Sequence, residues 1–340
     1  MGSISFAPEV LNNSLAETAG YKSGLALSIS DICDVLNGTG FDDKVLRSEE
    51  HGIRLESTEY EEVFHRLLYG IGYAEKEYTG LNYSQTLHSK YRGTELEAIH
   101  NGVLEIHVNM WQNIIQSAIK NNSKSLDPTP FFEECLKQFG TEGAKMAIER
   151  IEGMTEDLKN SAYSRLRFTE WDNIESLSSL FEGSRTPPEI GTFIDQRYVN
   201  FLQRNQHKLG DMHWRKFEAL TAEYFHRQGY EVELGPGSGD DGVDLRVWNK
   251  SETAETPPLM IIQCKRQKKR KVEKIVVKGL YADLLDSGAD IGLLVTTTEL
   301  SPGARDTINL RGYPIEEIDG NGVNAWIQEL RTPGTGIVRC

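Results

Sequence analysis

The 340-residue sequence has no long apolar run and few cysteines. A membrane-spanning helix needs about 18 consecutive apolar residues, and no stretch approaches that length. The N-terminus also lacks the basic and then apolar order of a signal peptide. The four cysteines (Cys33, Cys135, Cys264 and Cys340) are far apart and form no CxxC pair, which argues against a zinc site and a disulfide framework. We therefore expect a reducing, cytoplasmic setting.

An excess of positive charge is also lacking, because the net charge is −14. The acidity is uneven: residues 1–200 hold 18 Lys and Arg against 31 Asp and Glu, whereas residues 201–340 hold 19 against 20. Between Lys265 and Lys278 there are eight basic residues and one acid, Glu273. This local field can attract phosphates despite the overall sign. The N-terminal part is therefore not expected to be the main surface for binding phosphates.

The length favours two domains. Apolar residues recur at helical spacing through much of residues 50–182, and a Gly, Ser and Pro-containing stretch at 182–189 indicates a boundary. We predict a mainly helical regulatory, sensor or oligomerisation domain at 1–185, a linker helix at 186–210 and a second domain at 211–340. In the first domain we expect helices at Ser30–Leu36, Ser57–Tyr73, Thr94–Ile119, Phe131–Phe139, Glu142–Ala162 and Arg165–Phe181, and a loop at Glu77–Tyr91.

The histidines of the first domain carry no motif. His65, His88, His100 and His107 do not form a metal-ligand spacing beside carboxylates on one face. We interpret them as scattered surface and semi-buried residues, so the sequence does not say what this domain senses or binds.

The second part alternates helical and β-prone segments in the order α-β-β-β-α-β-α-β-α. A helix at Phe193–Leu202 leads into it. The expected elements are helices at Met212–Gln228, Val272–Asp286, Pro302–Leu310 and Val323–Leu330, and strands at Tyr230–Leu234, Val243–Trp248, 259–265, Ile291–Thr297 and Pro314–Ile318. The pattern predicts an α/β domain containing a three-strand meander.

Two of these strands carry the residues with chemistry. Asp244 begins one strand, and Gln263 and Lys265 share a face of the next because alternate side chains on a strand point the same way. If the strands pair, Asp244 lies beside Gln263. A carboxylate and an amide oxygen can hold a hard cation, and an ammonium beside a metal-bound water suits phosphodiester hydrolysis. The Cys264 carbonyl could complete such a metal sphere.

The Gly-rich turn before Asp244 excludes two other sites. It lacks the last glycine of a dinucleotide-binding loop, and a strand follows it instead of a helix. The same strand and the ligand register exclude an EF-hand. For Asp240 and Asp241, a turn-forming role and a metal or substrate role both stay open.

Asp-Gly-Val-Asp followed by Gln-Cys-Lys resembles the Mrr-type branch of the PD-(D/E)xK nucleases, in which Gln commonly replaces the acid of the second half-motif. The resemblance covers roughly 212–330. It implies a restriction-endonuclease-like fold, with a mixed sheet flanked by helices. It also implies a Mg²⁺-dependent endodeoxyribonuclease, with Mn²⁺ as a substitute, acting in bacterial restriction or anti-phage defence. In similar proteins a Glu on the first helix contributes to the site, which points to Glu218.

The site expected from this resemblance has three parts. Asp244, Gln263, Glu218 and the Cys264 carbonyl hold the metal, and Lys265 assists the attacking water and stabilises charge on the phosphate. The expected nucleic-acid contacts are Arg266, Lys268, Lys269, Arg270, Lys271 and Lys274, whose alternative is a solvated charged loop. Thr296, Thr297 and Thr298 either touch substrate or reflect β-propensity alone.

We expect DNA as the partner, with a homo-oligomer because a double-strand cut needs two sites, and an activating partner or ligand acting through the N-terminal domain. Two other readings stay open. One is a non-catalytic nucleic-acid-binding module that retains the fold, and the other is a regulatory protein with a vestigial nuclease domain. RNA as substrate also stays open, because a basic loop reads phosphate and not sugar.

Overall fold

A computed structural model describes residues 2–123, 125–166, 171, 173–183, 193–237, 242–250 and 256–331. The chain divides into two compact units, one formed by Met1–Lys76 with Arg167–Cys340 and the other by Glu77–Leu166. These limits differ from the predicted division at residues 185 and 210. That division assigned a role to each part of the chain, and it stays a prediction. Within the described ranges, every helix is too short or too polar to cross a membrane.

The described helices and strands follow in chain order. The helices are α1 (Val10–Ser23), α2 (Ile29–Leu36), α3 (Asp42–Arg47), α4 (Ser57–Gly70), α5 (Tyr83–Tyr91), α6 (Glu97–Lys120), α7 (Thr129–Asn160), α8 (Gln196–Arg204), α9 (Trp214–Arg227), α10 (Lys274–Ser287), α11 (Pro302–Arg311) and α12 (Gly320–Leu330). The strands are β1 (Ser3–Phe6), β2 (Leu25–Ala26), β3 (Ile53–Glu56), β4 (Glu175–Ser176), β5 (Glu231–Leu234), β6 (Leu245–Trp248), β7 (Met260–Lys265), β8 (Ile291–Thr296) and β9 (Ile315–Ile318). Short 3-10 helices cover Leu177–Leu180 and Gln206–Asp211.

A five-stranded mixed sheet organises the C-terminal part of the first unit. Its order is β5-β6-β7-β8-β9, antiparallel from β5 to β7 and parallel from β7 to β9. Ile261 joins the apolar core beneath α10, whereas Cys264 contacts Thr221 of α9. Because Ile261 and Cys264 are an odd number of residues apart on one strand, α9 and α10 cover opposite faces. The structure confirms the predicted mixed sheet flanked by helices.

The ends of these elements have local causes. Residue Gly288 ends α10 in the left-handed region, at φ 68, where glycine carries no steric penalty. A proline at the first position begins α11, and the carboxylate of Asp319 caps α12 by accepting a hydrogen bond from the Gly322 amide at 2.9 Å. The continuous apolar run of β8 is almost wholly buried, as expected for a parallel strand covered on both faces.

The first 76 residues pack with the later segments of the same unit. They include two small sheets, β1 with β3 and β2 with β4. The guanidinium of Arg331 lies 2.8 Å from the Glu75 carboxylate, and Lys208 forms an ion pair with Asp34 at 2.7 Å. The first 76 residues are therefore bonded to residues that come more than a hundred positions later in the chain.

The second unit consists of α5, α6 and α7 around a core of its own. Residue Gly140 has φ 62 and ψ −152, which kinks α7 between the two helices that the sequence predicts there. The structure confirms the expected helices up to residue 160, with α7 as one kinked element.

Two sequence predictions are wrong. The stretch expected as a loop contains α5, which an Asn82 and Gln85 capping box begins. Residues 1–50 contain the helix expected at Ser30–Leu36, as α2, and also α1, α3 and two strands that the sequence did not indicate. The described residues of the expected helix at 165–181 form β4 and a 3-10 turn, and residues 167–170 and 172 lie outside the described ranges. The boundary at 184–189 lies outside them too.

Candidate active site

Backbone contacts on both sides fix Asp244. Its amide donates to the Ile262 carbonyl at 2.9 Å, and its own carbonyl accepts from the Gly235 amide at 2.8 Å. One carboxylate oxygen, Oδ2, accepts from the Cys264 amide at 2.6 Å. The β6–β7 register, with Leu245 opposite Ile262, puts Asp244 across from Gln263. The pairing expected from the sequence is present, and the carboxylate is 9% exposed.

The side-chain amide of Gln263 is hydrogen-bonded at its nitrogen but, within the described residues, not at its oxygen. Its Nε2 donates to the Gly242 carbonyl at 2.7 Å, which leaves Oε1 as the outstanding acceptor. That oxygen is buried and has no hydrogen-bond partner among the described residues. Buried polar atoms in folded proteins nearly always have a partner, so an orphaned amide oxygen calls for an explanation. Such an oxygen can coordinate a cation or accept a hydrogen bond from a water molecule.

Glu218 lies on α9 and is 4% exposed. Arg215, one helical turn earlier, donates from Nη1 to the Glu218 Oε2 at 2.8 Å and from Nη2 to the Gly235 carbonyl at 2.7 Å. Since the Gly235 amide binds the Asp244 carbonyl, Arg215 connects the two carboxylate-bearing segments. Sequence reasoning missed Arg215, although its i, i+3 spacing from Glu218 was a readable signal.

Cys264 is buried between these charges. Its thiol lies 3.5 Å from the Thr221 hydroxyl. Burial above all, and then the Asp244 carboxylate, raise the pKa of this thiol well above its usual range; Glu218 adds to the effect and Lys265 opposes it. A thiol held protonated in this way is a poor nucleophile.

Lys265 ends β7 half-buried. Its carbonyl accepts a hydrogen bond from the Thr296 hydroxyl at 2.7 Å. The hydroxyl of Thr297 donates to the Gln267 carbonyl at 2.6 Å, and that of Thr298 donates to the Arg270 carbonyl at 2.9 Å. The three threonines therefore fix the backbone of the loop that follows Lys265.

The expected nucleic-acid contacts on this loop fall into two groups. Arg266 is half-buried and donates to the Gly210 carbonyl, while Lys268 and Lys271 pair with Asp211 and Glu299 at 2.6 and 2.7 Å. The second group is exposed at the surface: Lys269, Arg270 and Lys274. Ion pairs at the surface contribute little, so Lys268 and Lys271 can still exchange their partners for phosphates.

Two comparisons with known proteins gave a match. Residues 209–327 match the family of the Mrr catalytic domain, described as a restriction endonuclease. Residues 209–327, about a third of the chain, form a region of the Mrr type. The solved structure of the MspJI restriction endonuclease in complex with a 27-mer oligonucleotide is 23% identical, with a TM-score of 0.29. The match covers 45% of this chain and 35% of that one, so the chain spans about a third of its length. No curated protein matches.

The Mrr-type domain holds two carboxylates, an amide oxygen and a carbonyl as potential donors to a metal. In the parts of the chain that the structure describes, no three His, Cys, Asp or Glu side chains converge on one metal position. The orphaned oxygen of Gln263 nevertheless fits a hard cation, because it is a buried oxygen donor close in register to Asp244. Asp240 and Asp241, whose role the sequence left open, lie outside the described residues.

A further acid lies near this position. A Cβ atom added to Gly242 would be 3.0 Å from Gln263 Nε2 and 3.4 Å from Asp283 Oδ2. Residue 242 suits glycine for two reasons: its φ of 92 is left-handed, and a side chain there would crowd Gln263. Sequence reasoning missed Asp283. This residue lies on α10, twenty residues after Gln263 in the chain.

Proposed function

We propose that the protein is a metal-dependent endonuclease that hydrolyses phosphodiester bonds in DNA. The observation that carries the proposal is the pairing of β6 with β7 in a Mrr-type domain. It places Asp244 across from Gln263, whose Oε1 is buried without a partner, and Lys265 follows on the same face of the strand.

The residues proposed to hold the metal are Asp244, Gln263, Glu218 and the Cys264 carbonyl. A divalent cation such as Mg²⁺, or Mn²⁺ in its place, would act as a Lewis acid and lower the pKa of a bound water. Gln263 contributes oxygen without charge, so the carboxylates of Asp244 and Glu218 carry the negative charge of the site. Arg215 offsets part of that charge by its ion pair with Glu218.

Lys265 is proposed to orient the attacking water and to stabilise the charge that develops on the phosphate. A fixed donor aimed at developing charge contributes about 10²–10³-fold in rate. The residue suits this task because the Thr296 hydroxyl holds its carbonyl and the sheet holds its backbone. Little of the geometry then has to rearrange when substrate binds.

The basic loop is proposed to bind the phosphates beside this site. Lys269, Arg270 and Lys274 are exposed, and Arg266, Lys268 and Lys271 surround them along the chain. Such contacts give affinity that falls steeply with salt and carry no sequence information. We further propose a homo-oligomer that presents two sites to a duplex, a role in bacterial defence against foreign DNA, and a cytoplasmic setting.

The test is cleavage of supercoiled plasmid by the full chain, with and without Mg²⁺ or Mn²⁺. Asp244→Asn and Lys265→Ala are compared with Lys250→Ala, an exposed lysine outside the site. We expect metal-dependent nicking that falls at least about a hundredfold in the first two variants and stays at the wild-type level in the third. Cleavage that persists in both site variants would refute the assignment.

The second candidate is a nucleic-acid-binding module without catalysis. The ion pair between Arg215 and Glu218 favours it, since a carboxylate committed to a guanidinium is a weaker metal ligand. Plasmid and RNA binding without cleavage under either metal, abolished by neutralising Lys269, Arg270 and Lys274, would support this alternative.

A further inference from the structure

The buried side chains of the second compact unit include two histidines and an arginine on α6 and α7. His100 and His107 lie two turns apart on one face of α6, and Arg150 lies on α7. Their exposed fractions are 3%, 8% and 4%. Two of the histidines expected to be scattered are therefore buried on one face of α6, and α7 adds a buried arginine that the sequence pattern did not connect with them.

Arg150 is buried without a counter-ion. Its guanidinium carbon lies 5.3 Å from the centre of the Tyr83 ring, and its Nε has no hydrogen-bond partner among the described residues. Burial lowers the pKa of Arg150, and Tyr83 opposes this shift, with no described carboxylate contributing. Arginine is almost never fully buried unless paired, because an uncompensated buried charge is costly.

Two acids near these groups already accept hydrogen bonds. Glu97, whose charge opposes the lowering of the His100 pKa, accepts from the Gly93 amide at 2.8 Å. Glu149, next to Arg150 in sequence, accepts from Lys90 at 2.8 Å and from the Tyr91 hydroxyl at 2.7 Å. Within Glu77–Leu166 only Lys124 lies outside the described residues, and it is not an acid. No undescribed carboxylate of this unit is therefore available to neutralise Arg150.

The histidines add two further incomplete groups. The His100 ring stacks on Tyr91 at 5.2 Å and the His107 ring on Trp111 at 4.8 Å, while Nε2 of each is buried without a hydrogen-bond partner in the described residues. Burial first, and the Arg150 charge among the further causes, lower the pKa of both, that of His107 to about 4. Both rings are thus neutral near pH 7, and a neutral imidazole can donate one N–H.

The charge of Arg150 and the hydrogen-bond donors of the histidines favour an anionic ligand over a metal cation. A metal cation would face the Arg150 charge without any carboxylate ligand, and no three His, Cys, Asp or Glu side chains of the described chain are placed to hold one. An oxyanion would accept from the guanidinium and from the imidazole N–H groups, and would supply the missing negative charge. Guanidinium forks match phosphate oxygens in pairs.

We propose that the helical unit binds an oxyanion of the phosphate type through Arg150, His100 and His107. The oxyanion is either free phosphate or the phosphate group of a small ligand such as a nucleotide. This site is separate from the proposed nuclease site and does not depend on it. It would give the helical unit a ligand to sense.

The test is titration calorimetry and thermal unfolding of the full chain with sodium phosphate, against sodium chloride at equal ionic strength, and with adenosine monophosphate in a parallel arm. We expect saturable binding of phosphate and an unfolding temperature that rises by several degrees. Tighter binding of the nucleotide would identify a phosphate group on a larger ligand as the target. Equal or weaker binding would identify free phosphate.

Variants separate this site from the nuclease. Arg150→Met should weaken binding at least tenfold while the protein without phosphate unfolds at the same temperature or higher, and Arg150→Lys should retain part of the affinity. Arg92→Met, at an exposed position of the same unit, should change neither. Should Arg150→Met fail to fold, His107→Phe provides the same test of binding.

Two results would overturn the proposal. One is the absence of any phosphate binding to the wild type. The other is binding that survives Arg150→Met but disappears in Lys265→Ala, which would assign the phosphate to the nuclease site.

Discussion

Two buried arginines show how differently the two compact units treat charge. Arg197 in the first unit is 3% exposed and Arg150 in the second is 4% exposed. The guanidinium of Arg197 pairs with Asp195 at 2.6 Å and donates to the carbonyls of Gly24 and Asn173 at 2.6 and 2.7 Å. Arg150 lies over the Tyr83 ring, and no carboxylate of the described residues pairs with it. The two arginines are equally buried but differently paired. We therefore interpret Arg197 as part of a structural ion pair and Arg150 as part of the proposed oxyanion site.

The acids of the first unit follow the same rule as Arg197. Glu223 is fully buried, accepts from Arg227 at 2.7 Å and from the Phe193 amide at 2.8 Å, and so joins α9 to the start of α8. Glu218 is paired with Arg215. In the first unit the orphaned oxygen at the candidate site is instead a neutral one, Gln263 Oε1, and Nε of Arg266 is also without a partner among the described residues. The proposed nuclease site thus lacks a partner for a ligand oxygen, and the helical unit lacks a negative charge.

The largest effect is expected from Arg197→Met. The change leaves Asp195 without its partner and two carbonyls without donors, and breaking a buried pair costs about 3–5 kcal/mol. The free energy of unfolding, measured with urea, should fall by that amount. Arg150→Met is the matched control, and without phosphate it should be neutral or stabilising. Equal losses in the two variants would remove the distinction between them.

The next effect is the pH dependence of the helical unit. Burial and Arg150 lower the pKa of His107 to about 4 in the folded state, from 6.5 when unfolded. The unfolded chain then binds more protons between these values, so stability is complete above pH 6.5 and is lost as pH falls towards 4, by roughly 3 kcal/mol. Thermal unfolding at pH 7 and pH 5 should show this loss, and His107→Phe should reduce it. An unchanged pH profile in His107→Phe would contradict the assignment.

A smaller effect is expected from Arg215→Met, which frees Glu218 and the Gly235 carbonyl. Hydrogen bonds to charged groups contribute about 1.5–3 kcal/mol, so kcat for plasmid cleavage should fall about tenfold to a hundredfold with little change in KM. Arg215→Lys should recover part of the rate. Arg246→Met is the control, because Arg246 forms only a loose pair with Glu233 at 3.7 Å. A change in KM alone would show that Arg215 contacts DNA instead.

The smallest effect is expected from Thr297→Val. The Thr297 hydroxyl bonds both the amide and the carbonyl of Gln267, at 2.8 and 2.6 Å. Its loss should loosen the basic loop and weaken DNA binding by about 1 kcal/mol, or roughly fivefold in Kd. Thr307→Val removes a similar bond on α11 and should leave the Kd unchanged. Equal affinities in both variants would mean that the loop needs no anchor.

The sequence predicted the sheet and its motif well because both depend on local signals. Alternation put Gln263 and Lys265 on one face, and glycines marked the strand and helix ends. Helix α5 was missed because its Tyr and Ser content hides the Asn82 and Gln85 capping box that begins it. Arg150 could not be connected with His100 from sequence, since the effect of its charge on His100 depends on how two helices pack, which no spacing along one chain reveals.

The Thr run at 296–298 shows the same limit. The sequence offered β-propensity or substrate contact, whereas the structure uses the hydroxyls to hold the carbonyls of the neighbouring loop. Propensity explains why threonine ends a strand, but the partner of a hydroxyl is a property of the fold.

The division of the chain also sets the order in which its parts can form during synthesis. The helical unit is continuous, so all of its residues exist once residue 166 has left the ribosome. Glu75 in contrast is bonded to Arg331, which is made 256 residues later, a delay of roughly ten to fifty seconds at 5–20 residues per second. The nascent chain therefore carries a completed middle while its first 76 residues wait for partners. Chaperones that shield apolar surface have their longest opportunity to bind this early segment.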